Sequence, residues 1–140
     1  MTYEKPYIGC LVGTAFQRLT SQLEKALKES GLDITASEYM IMRALYSSDG
    51  LQQCEIADMV GKDKGSISRS VSGLVRKGLV RTEQVSYKCC KVWITEAAVA
   101  IRGEVMEIAA RRHKALLCLA SEKDIETFVS VLNKIVNNPY

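Results

Sequence analysis

The sequence has few of the residues from which catalytic centres are built. It contains a single histidine, His113, which is flanked by the basic residues Arg111, Arg112 and Lys114. No serine or cysteine lies in a nucleophile motif, and there is no glycine-rich phosphate-binding loop. We therefore interpret His113 as a surface or interface residue, and we expect a protein that is not an enzyme and needs no cofactor.

Long apolar runs are also missing. No run approaches the roughly 20 residues that a membrane-spanning helix needs. The first residues, Met1 to Lys5, lack the charged start and apolar core of a secretion signal. We expect no membrane association and a cytoplasmic location.

The cysteines do not form a pattern typical of disulfides or metal sites. There are five, at Cys10, Cys54, Cys89, Cys90 and Cys118, and an odd number without a secretion signal argues against a disulfide framework. The one close pair is adjacent, and adjacent side chains on a strand point to opposite faces. We expect no metal site, and we interpret Cys54 and Cys118 as core fillers.

The most informative stretch runs from Gln52 to Lys77 and predicts two short helices joined by a tight turn. Gly61 suits the left-handed conformation that a sharp turn requires. Asp63 follows as an N-cap for the second helix. The apolar positions fall three and four residues apart and predict a shared buried face: Ile56, Met59, Val60, Ile67, Val71, Leu74 and Val75. This is the pattern of a helix-turn-helix.

The outward face of the second helix carries short hydroxyls between basic residues, namely Lys64, Ser66, Ser68, Arg69, Ser72 and Arg76. Such a face can enter the major groove of DNA without clashing with phosphates. From Lys62 to Lys91 the chain has eight basic and two acidic residues, a net charge of +6, whereas the whole chain carries +3. This block favours a surface that binds phosphates, although lysines on an ordinary solvated face would give the same count.

Helical periodicity continues on both sides of this stretch. A long first helix begins at Pro6 and ends before Gly31, and part of its apolar stripe is expected to pack on a partner subunit. Thr35 and Glu38 form a capping box for the next helix. Thr95 begins a helix to about Leu119 that buries six residues, Ile101, Val105, Ile108, Ala109, Leu116 and Leu117. Ser121 caps a final amphipathic helix, which Pro139 ends.

Between the helix-turn-helix and Thr95 the pattern is extended. Residues 79–85 and 89–95 are rich in β-branched side chains, and Ser86-Tyr87-Lys88 is short enough for a hairpin tip. A two-stranded ribbon after a recognition helix is a wing. We interpret Trp93 as a packing residue at the base of this wing.

Taken in order, these elements resemble the multiple antibiotic resistance regulator (MarR) family. The likeness runs from Pro6 to Asn138 and is most specific between Ile56 and Arg69, with Ile94-Thr95-Glu96 similar to the start of the family's dimerisation helix. It implies a mainly α, winged helix-turn-helix fold with about six helices and one β-hairpin wing, in one domain of residues 1–140. Residues 6–34 and 96–138 would form the dimerisation helices of a homodimer, and residues 35–95 the DNA-binding region.

The implied function is a sequence-specific transcriptional regulator of double-stranded DNA, usually a repressor, that a small aromatic or phenolic effector releases. Lys64, Ser66, Ser68, Arg69 and Ser72 would face the major groove, with Arg69 the best candidate for a bidentate contact to guanine. A second group would position the protein on phosphates, namely Lys62, Arg76 and Lys88. Two-fold symmetry then requires a pseudo-palindromic operator.

Three positions depart from the family pattern. Ser70 stands where an aliphatic residue is usual, and Ala98 stands in for a glycine after Thr95-Glu96. At the wing tip, Ser86-Tyr87-Lys88 replaces the Asp-x-Arg that normally anchors it. The last departure weakens the expectation that the wing reads a minor groove, although Lys88 could reach a phosphate.

The sequence is compatible with more than one signal that the protein could sense. Tyr39, Met42 and Arg43 lie where the family binds effectors, but the same residues would also suit the edge of a core. Cys10 lies near the position of the reactive cysteine in the hydroperoxide-sensing branch, where Tyr39 also matches a tyrosine but Leu23 replaces another. Because no basic residue is nearer than Lys5, we expect Cys10 to be buried and inert, with a thiol-based redox sensor as the alternative. A further alternative is a helix-turn-helix scaffold that binds protein instead of DNA.

Overall fold

The computed structural model describes residues 7–138, in which six helices and a small antiparallel sheet are found. The helices are α1 (Ile8–Glu29), α2 (Ala36–Ser47), α3 (Gln53–Val60), α4 (Lys64–Arg76), α5 (Glu96–Leu117) and α6 (Glu122–Asn137). The strands are β1 (Leu51–Gln52), β2 (Val80–Ser86) and β3 (Cys89–Ile94), in the order β1-β3-β2. The predicted mainly α, winged helix-turn-helix fold is confirmed. Pro6 and Pro139, expected at the two ends, lie outside the described residues.

Side-chain caps begin the helices where the sequence predicts them. The Thr35 hydroxyl accepts a hydrogen bond from the Glu38 amide at 3.1 Å, and Glu38 Oε1 accepts one from the Thr35 amide at 3.0 Å. This reciprocal pair is the predicted capping box of α2. Asp63, Thr95 and Ser121 likewise accept from amides in the first turns of α4, α5 and α6. The first four orphan amides of these helices are therefore partly satisfied within the chain.

A buried carboxylate joins α2 to α4. Glu38 is only 4% exposed, and its Oε1 atom lies 2.6 Å from Lys77 Nζ at the end of α4. The other oxygen, Oε2, lies against the backbone of Gly73, where an added Cβ would be 2.5 Å away. A buried charge is costly unless it is paired and hydrogen-bonded, and here both conditions are met. The contact therefore requires a glycine in the middle of α4.

The core lies between α2, the helix-turn-helix, the sheet and the first half of α5. Its fully buried side chains are Leu27, Ile34, Ile41, Met42, Leu45, Ile56, Ile67, Leu74, Val92 and Val105. Tyr46 links this core to α5, because its hydroxyl donates to the Ala98 carbonyl at 2.5 Å. Burial raises the pKa of the Tyr46 phenol, while the nearby Arg102 guanidinium acts in the opposite direction. The packing attaches the base of α5 firmly to α2.

Pairing in the sheet positions the wing. Strand β3 pairs with β1 through Leu51–Val92 and with β2 through Val80–Ile94, both in antiparallel register. The expected hairpin of residues 79–95 is confirmed, and Leu51 and Gln52 add a short third strand to it. Since β1 leads directly into α3, the sheet ties the wing to the start of the helix-turn-helix.

Apart from the cysteines, which are described below, three residues predicted to be buried are instead exposed in the single chain. Met59 is 57% exposed, Val75 44% and Leu117 41%. Val75 follows Leu74 around the helix and lies at the edge of the buried face. Ile56 and Ala57 make the core contacts of α3, which leaves Met59 outside. Leu117 is in the last turn of α5, beyond the part that packs on the core.

Among residues 7–138, no helix combines the length and apolar character needed to cross a membrane. Charged residues occur along most of α5, and in α1 they occur from Arg18 onward.

The contact between Glu38 and Gly73 can be tested with two glycine variants. Gly73→Ala should lower the free energy of unfolding by about 1–3 kcal/mol, because the new methyl group meets a carboxylate that Lys77 holds in place. Gly103→Ala is the matched control, since Gly103 lies inside α5 with nothing within 4 Å of the added Cβ. Gly103→Ala should raise the free energy of unfolding by about 0.5–1 kcal/mol, because alanine has a higher helix propensity than glycine. Urea unfolding would measure both, and equal gains in the two variants would contradict the account.

The cap at Asp63 predicts a dependence on pH. Hydrogen bonds from the Ser66 amide and then from the Ser66 hydroxyl lower the pKa of Asp63 from its ordinary 3.8. A carboxyl group whose pKa is lower in the folded state than in the unfolded state stabilises the fold at pH values above its unfolded-state pKa. This stabilisation is lost as the pH falls through the folded-state pKa. At pH 7 we therefore expect a higher Tm for the wild type than for Asp63→Asn. The difference should shrink below pH 3.8, and a difference that stays constant down to acid pH would refute the assignment.

Candidate nucleic-acid interface

The turn between α3 and α4 has the geometry expected of a helix-turn-helix. Gly61 ends α3 with φ +69°, a left-handed conformation that glycine adopts without steric cost. Two residues later, Asp63 Oδ1 accepts from the Ser66 amide at 2.8 Å and begins α4. Ile67, Val71 and Leu74 then pack α4 into the core. The opposite face of α4 is consequently directed to solvent.

This solvent face contains the residues that the sequence assigned to DNA. Those that are exposed are Lys64, Ser68, Arg69, Ser72 and Arg76, and Ser66 is half-buried. Lys64 and Arg76 lie at the two ends of this face, and Arg69 lies in its middle between Ser68 and Ser72. The structure therefore brings the predicted recognition residues together on one helix surface.

Arg69 is held by a chain of hydrogen bonds along α4. Its Nη2 atom donates to Ser66 Oγ at 3.2 Å, and the same hydroxyl donates to Asp63 Oδ2 at 2.9 Å. The guanidinium is exposed and also interacts electrostatically with the Asp63 carboxylate. These contacts orient the Arg69 guanidinium on the exposed surface of the first half of α4.

Not all cations of the basic block belong to this face. Lys62 Nζ donates to Ser37 Oγ at 2.8 Å and so ties the turn to α2. Lys77 is paired with Glu38, as described above, and its Nζ atom also lies 4.0 Å from Asp33 Oδ2. The guanidinium of Arg81 lies 5.5 Å from the centre of the Trp93 ring. These three side chains have partners within the chain. Fewer cations of the block are therefore free to bind phosphates than its net charge suggests.

The wing ends in a two-residue tip formed by Tyr87 and Lys88. Tyr87 is 94% exposed, and Lys88 is exposed beside it. A register shift near Val85 interrupts the pairing just before the tip, where Gln84 Nε2 donates to the Ser86 carbonyl at 2.7 Å. Tyr87 is not among the residues that the sequence assigned to DNA, although an aromatic residue at a hairpin tip has no core to pack against, which is a signal in the sequence.

Trp93 lies at the base of the wing, as the sequence predicts. Its ring covers Gly50 so closely that no side chain could be accommodated there. The indole Nε1 is buried and has no hydrogen-bond partner among the described residues. This packing fixes the wing against the end of α2 and leaves Trp93 unavailable for stacking on a ligand.

Tyr39, Met42 and Arg43 do not form one continuous surface. Tyr39 and Met42 belong to the buried core, whereas Arg43 is exposed and its Nη1 lies 3.4 Å from the Tyr39 hydroxyl. Only the edge of this group, at Arg43 and the phenol, is near solvent. Their role in binding an effector stays a prediction.

The cysteine positions correct several expectations. Cys10, Cys54 and Cys118 are all exposed in the single chain, so the predictions that they are buried are wrong. Cys54 lies in the first turn of α3, and Cys118 follows the last residue of α5, where neither can reach the core. Cys89 and Cys90 are half-buried on β3. Within residues 7–138, no group of three side chains from histidine, cysteine, aspartate and glutamate is placed to hold a metal.

Large apolar side chains are exposed on α1 and α6. On α1 they are Ile8, Leu11, Val12, Phe16 and Leu19, and on α6 they are Phe128, Val129, Val131, Ile135 and Val136. No residue of α6 is buried, and Leu27 is the only buried residue of α1. We call these two sets the terminal-helix stripes. Exposed apolar surfaces of this extent mark interaction sites.

Comparisons with known proteins agree with this architecture. The model of the MarR family matches residues 32–86, which include α2, the helix-turn-helix and β2. The transcriptional regulator HosA of Escherichia coli O157:H7 is 24% identical over 124 residues, which cover 87% of this chain and 89% of HosA.

Solved structures share the fold over nearly the whole chain. A Staphylococcus aureus MepR–DNA complex aligns with a TM-score of 0.85 at 20% identity, covering 98% of this chain and 100% of MepR. Bordetella bronchiseptica BpsR aligns with a TM-score of 0.81 at 16% identity, covering 96% of this chain and 98% of BpsR. The DNA binding of BpsR is regulated by 6-hydroxynicotinic acid. Together with the match of the MarR family model to residues 32–86, these likenesses show that the chain has the winged helix-turn-helix fold of MarR-family transcriptional regulators and resembles that family.

Proposed function

We propose that this protein binds a pseudo-palindromic operator as a homodimer, through α4 in the major groove, and acts as a repressor. The observation that carries this proposal is the solvent face of α4, where Arg69 is exposed and oriented by Ser66 and Asp63. A guanidinium can donate two hydrogen bonds to guanine O6 and N7, which distinguishes guanine from the other bases. Lys64, Ser68 and Ser72 complete the same surface.

Contacts to phosphates would orient the protein without reading sequence. Arg76 at the end of α4 and Lys88 at the wing tip are exposed and suit this role. Lys62 can reach a phosphate only by giving up its bond to Ser37, so we rank it below the other two. Tyr87 is added to the proposed wing contacts, because its hydroxyl can donate to a phosphate oxygen.

A second copy of the chain is the proposed partner of the terminal-helix stripes. The ranges 7–34 and 96–138 carry most of the exposed large apolar side chains, while residues 35–95 hold most of the core. Closed two-fold dimers are the commonest way in which proteins bury such surfaces. The two recognition helices of a dimer then meet half-sites about one helical turn apart, or about 10–10.5 base pairs.

We also propose that a small aromatic or phenolic effector releases the protein from DNA. Support comes from the description of BpsR, whose DNA binding is regulated by 6-hydroxynicotinic acid. In this chain the exposed Arg43 beside the Tyr39 hydroxyl offers a cation and a phenol to an acidic aromatic ligand, with Met42 behind them. Repression follows from occupancy, since a dimer over a promoter excludes polymerase.

The role of Arg69 is tested by binding to fragments of the upstream DNA across a salt series. Arg69→Ala should weaken binding to the preferred fragment by about 1–3 kcal/mol and reduce discrimination between fragments. Arg111→Ala is the matched control, because Arg111 is an exposed arginine on α5, away from α4. It should bind like the wild type. Equal losses in both variants, or weak and equal binding of every fragment by the wild type, would contradict specific recognition by α4.

The dimer is tested by sedimentation equilibrium. The wild type should have twice the chain mass of 15.5 kDa. Leu19→Glu should shift it towards the monomer, because a charge placed within the stripe of α1 would be buried without a partner. Val85→Glu provides the control, since Val85 is an exposed apolar residue of the wing, and it should remain dimeric. A monomeric wild type, or a dimer that Leu19→Glu does not affect, would refute the interface.

A further inference from the structure

A small cavity lies between the start of α3, the start of α4 and the wing. Its volume is about 220 Å³, and it is lined by Gln52, Gln53, Cys54, Lys64, Lys88 and Cys90. It thus contains two thiols from distant parts of the sequence and two ammonium groups. Neither the fold nor the proposed recognition of DNA accounts for the two thiols.

Strand pairing explains why the two cysteines are brought together. Gln52 of β1 pairs with Lys91 of β3, and the next residues along these antiparallel strands are Gln53 and Cys90. Cys54 follows in the first turn of α3. The sheet therefore holds the backbone of Cys90 beside the start of the helix that carries Cys54.

The surroundings of Cys54 suit a reactive thiol. It is exposed, it lies in the N-terminal turn of an α-helix, and Lys64 and Lys88 line the same cavity. A small oxidant that enters the cavity can therefore reach this thiol. Its Sγ lies 3.5 Å from Gln52 Oε1, a weak contact that leaves it accessible. Cys90 is half-buried on the other wall.

We propose that Cys54 and Cys90 form a hydroperoxide-sensitive thiol pair on the DNA-binding side of the protein. The Cys54 thiolate attacks the outer oxygen of a hydroperoxide, the O–O bond breaks, and a sulfenic acid and an alcohol or water form. The Cys90 thiolate then attacks the Cys54 sulfur, an S–S bond forms, and the sulfenic oxygen leaves as water. The two sulfurs are oxidised by two electrons in total, and the peroxide is reduced by the same two.

The disulfide would join α3 to β3 at the cavity that Lys64 and Lys88 share. It would restrain both lysines, which the proposed function assigns to DNA, and affinity for DNA would fall. This regulatory consequence rests on the proposed function, whereas formation of the disulfide does not. The reaction also differs from a sensor at Cys10, which lies on α1 and does not line this cavity.

The chemistry is tested by treating the reduced wild type with hydrogen peroxide, blocking free thiols and mapping tryptic peptides without reduction. Cys54 lies in peptide 44–62, and Cys89 and Cys90 lie in peptide 89–91. We expect a cross-link between these two peptides at the mass of a single chain. It should persist in Cys10→Ser and Cys89→Ser and disappear in Cys54→Ser and Cys90→Ser. No cross-link, or one that persists in Cys90→Ser but not in Cys89→Ser, would overturn the proposal.

The regulatory role is tested by measuring the affinity for the upstream DNA fragment that the reduced protein binds, before and after treatment with peroxide. Peroxide should lower the affinity of the wild type and Cys89→Ser about tenfold, the scale of one lost polar contact, and dithiothreitol should restore it. Cys54→Ser, altered only at an exposed position, should bind equally before and after peroxide. A cross-linked wild type of unchanged affinity would refute the regulatory role. If the reduced protein bound no DNA, the proposed function would fail, while the peptide map would still decide whether the thiol pair exists.

Discussion

The Glu38 carboxylate is the contact on which the position of the recognition helix depends. It is buried, it completes the cap of α2, and it is paired with Lys77 while its second oxygen lies against Gly73. A buried carboxylate with these partners has one favourable arrangement, and this arrangement sets how far α4 is rotated about its own axis. Because Gly73 faces Glu38 and Leu74 faces the core, the residues on the other side of α4 are turned outward. The face proposed to bind DNA thus borders the contact between Glu38 and Gly73, since Arg76 Nη2 lies 3.8 Å from the position of a Cβ added at Gly73.

Much of the fold was predictable from local patterns. The turn at Gly61, the caps at Asp63 and Thr35 and the strands of the wing depend on residues close in sequence, and all appear in the structure. Partners from distant segments were not predictable in the same way. Lys77 was counted with the basic block, although it pairs with a carboxylate 39 residues away. Periodicity identifies a face but not its width, which is why Val75 was wrongly assigned to the core.

In the candidate site, too, features of a single helix were predictable from the sequence, and contacts that depend on side-chain conformation or distant segments were not. The sequence identified the exposed residues of α4, because they are what remains when the buried positions of one helix are removed. It did not identify the network of Asp63, Ser66 and Arg69, which depends on side-chain rotamers, or the exposure of Tyr87 at the wing tip. Cys54 and Cys118 were interpreted as core fillers, and their exposed positions correct that interpretation. The cavity shared by Cys54 and Cys90 arises only from the pairing of β1 with β3.

The central claim is that two copies of α4 read two half-sites on one operator. Hydroxyl-radical footprinting of the upstream fragment bound most tightly is the most direct test. The account predicts two protected segments related by two-fold symmetry, with centres about one helical turn apart, or about 10–10.5 base pairs. One protected segment without symmetry, or protection spread evenly along the fragment, would contradict it.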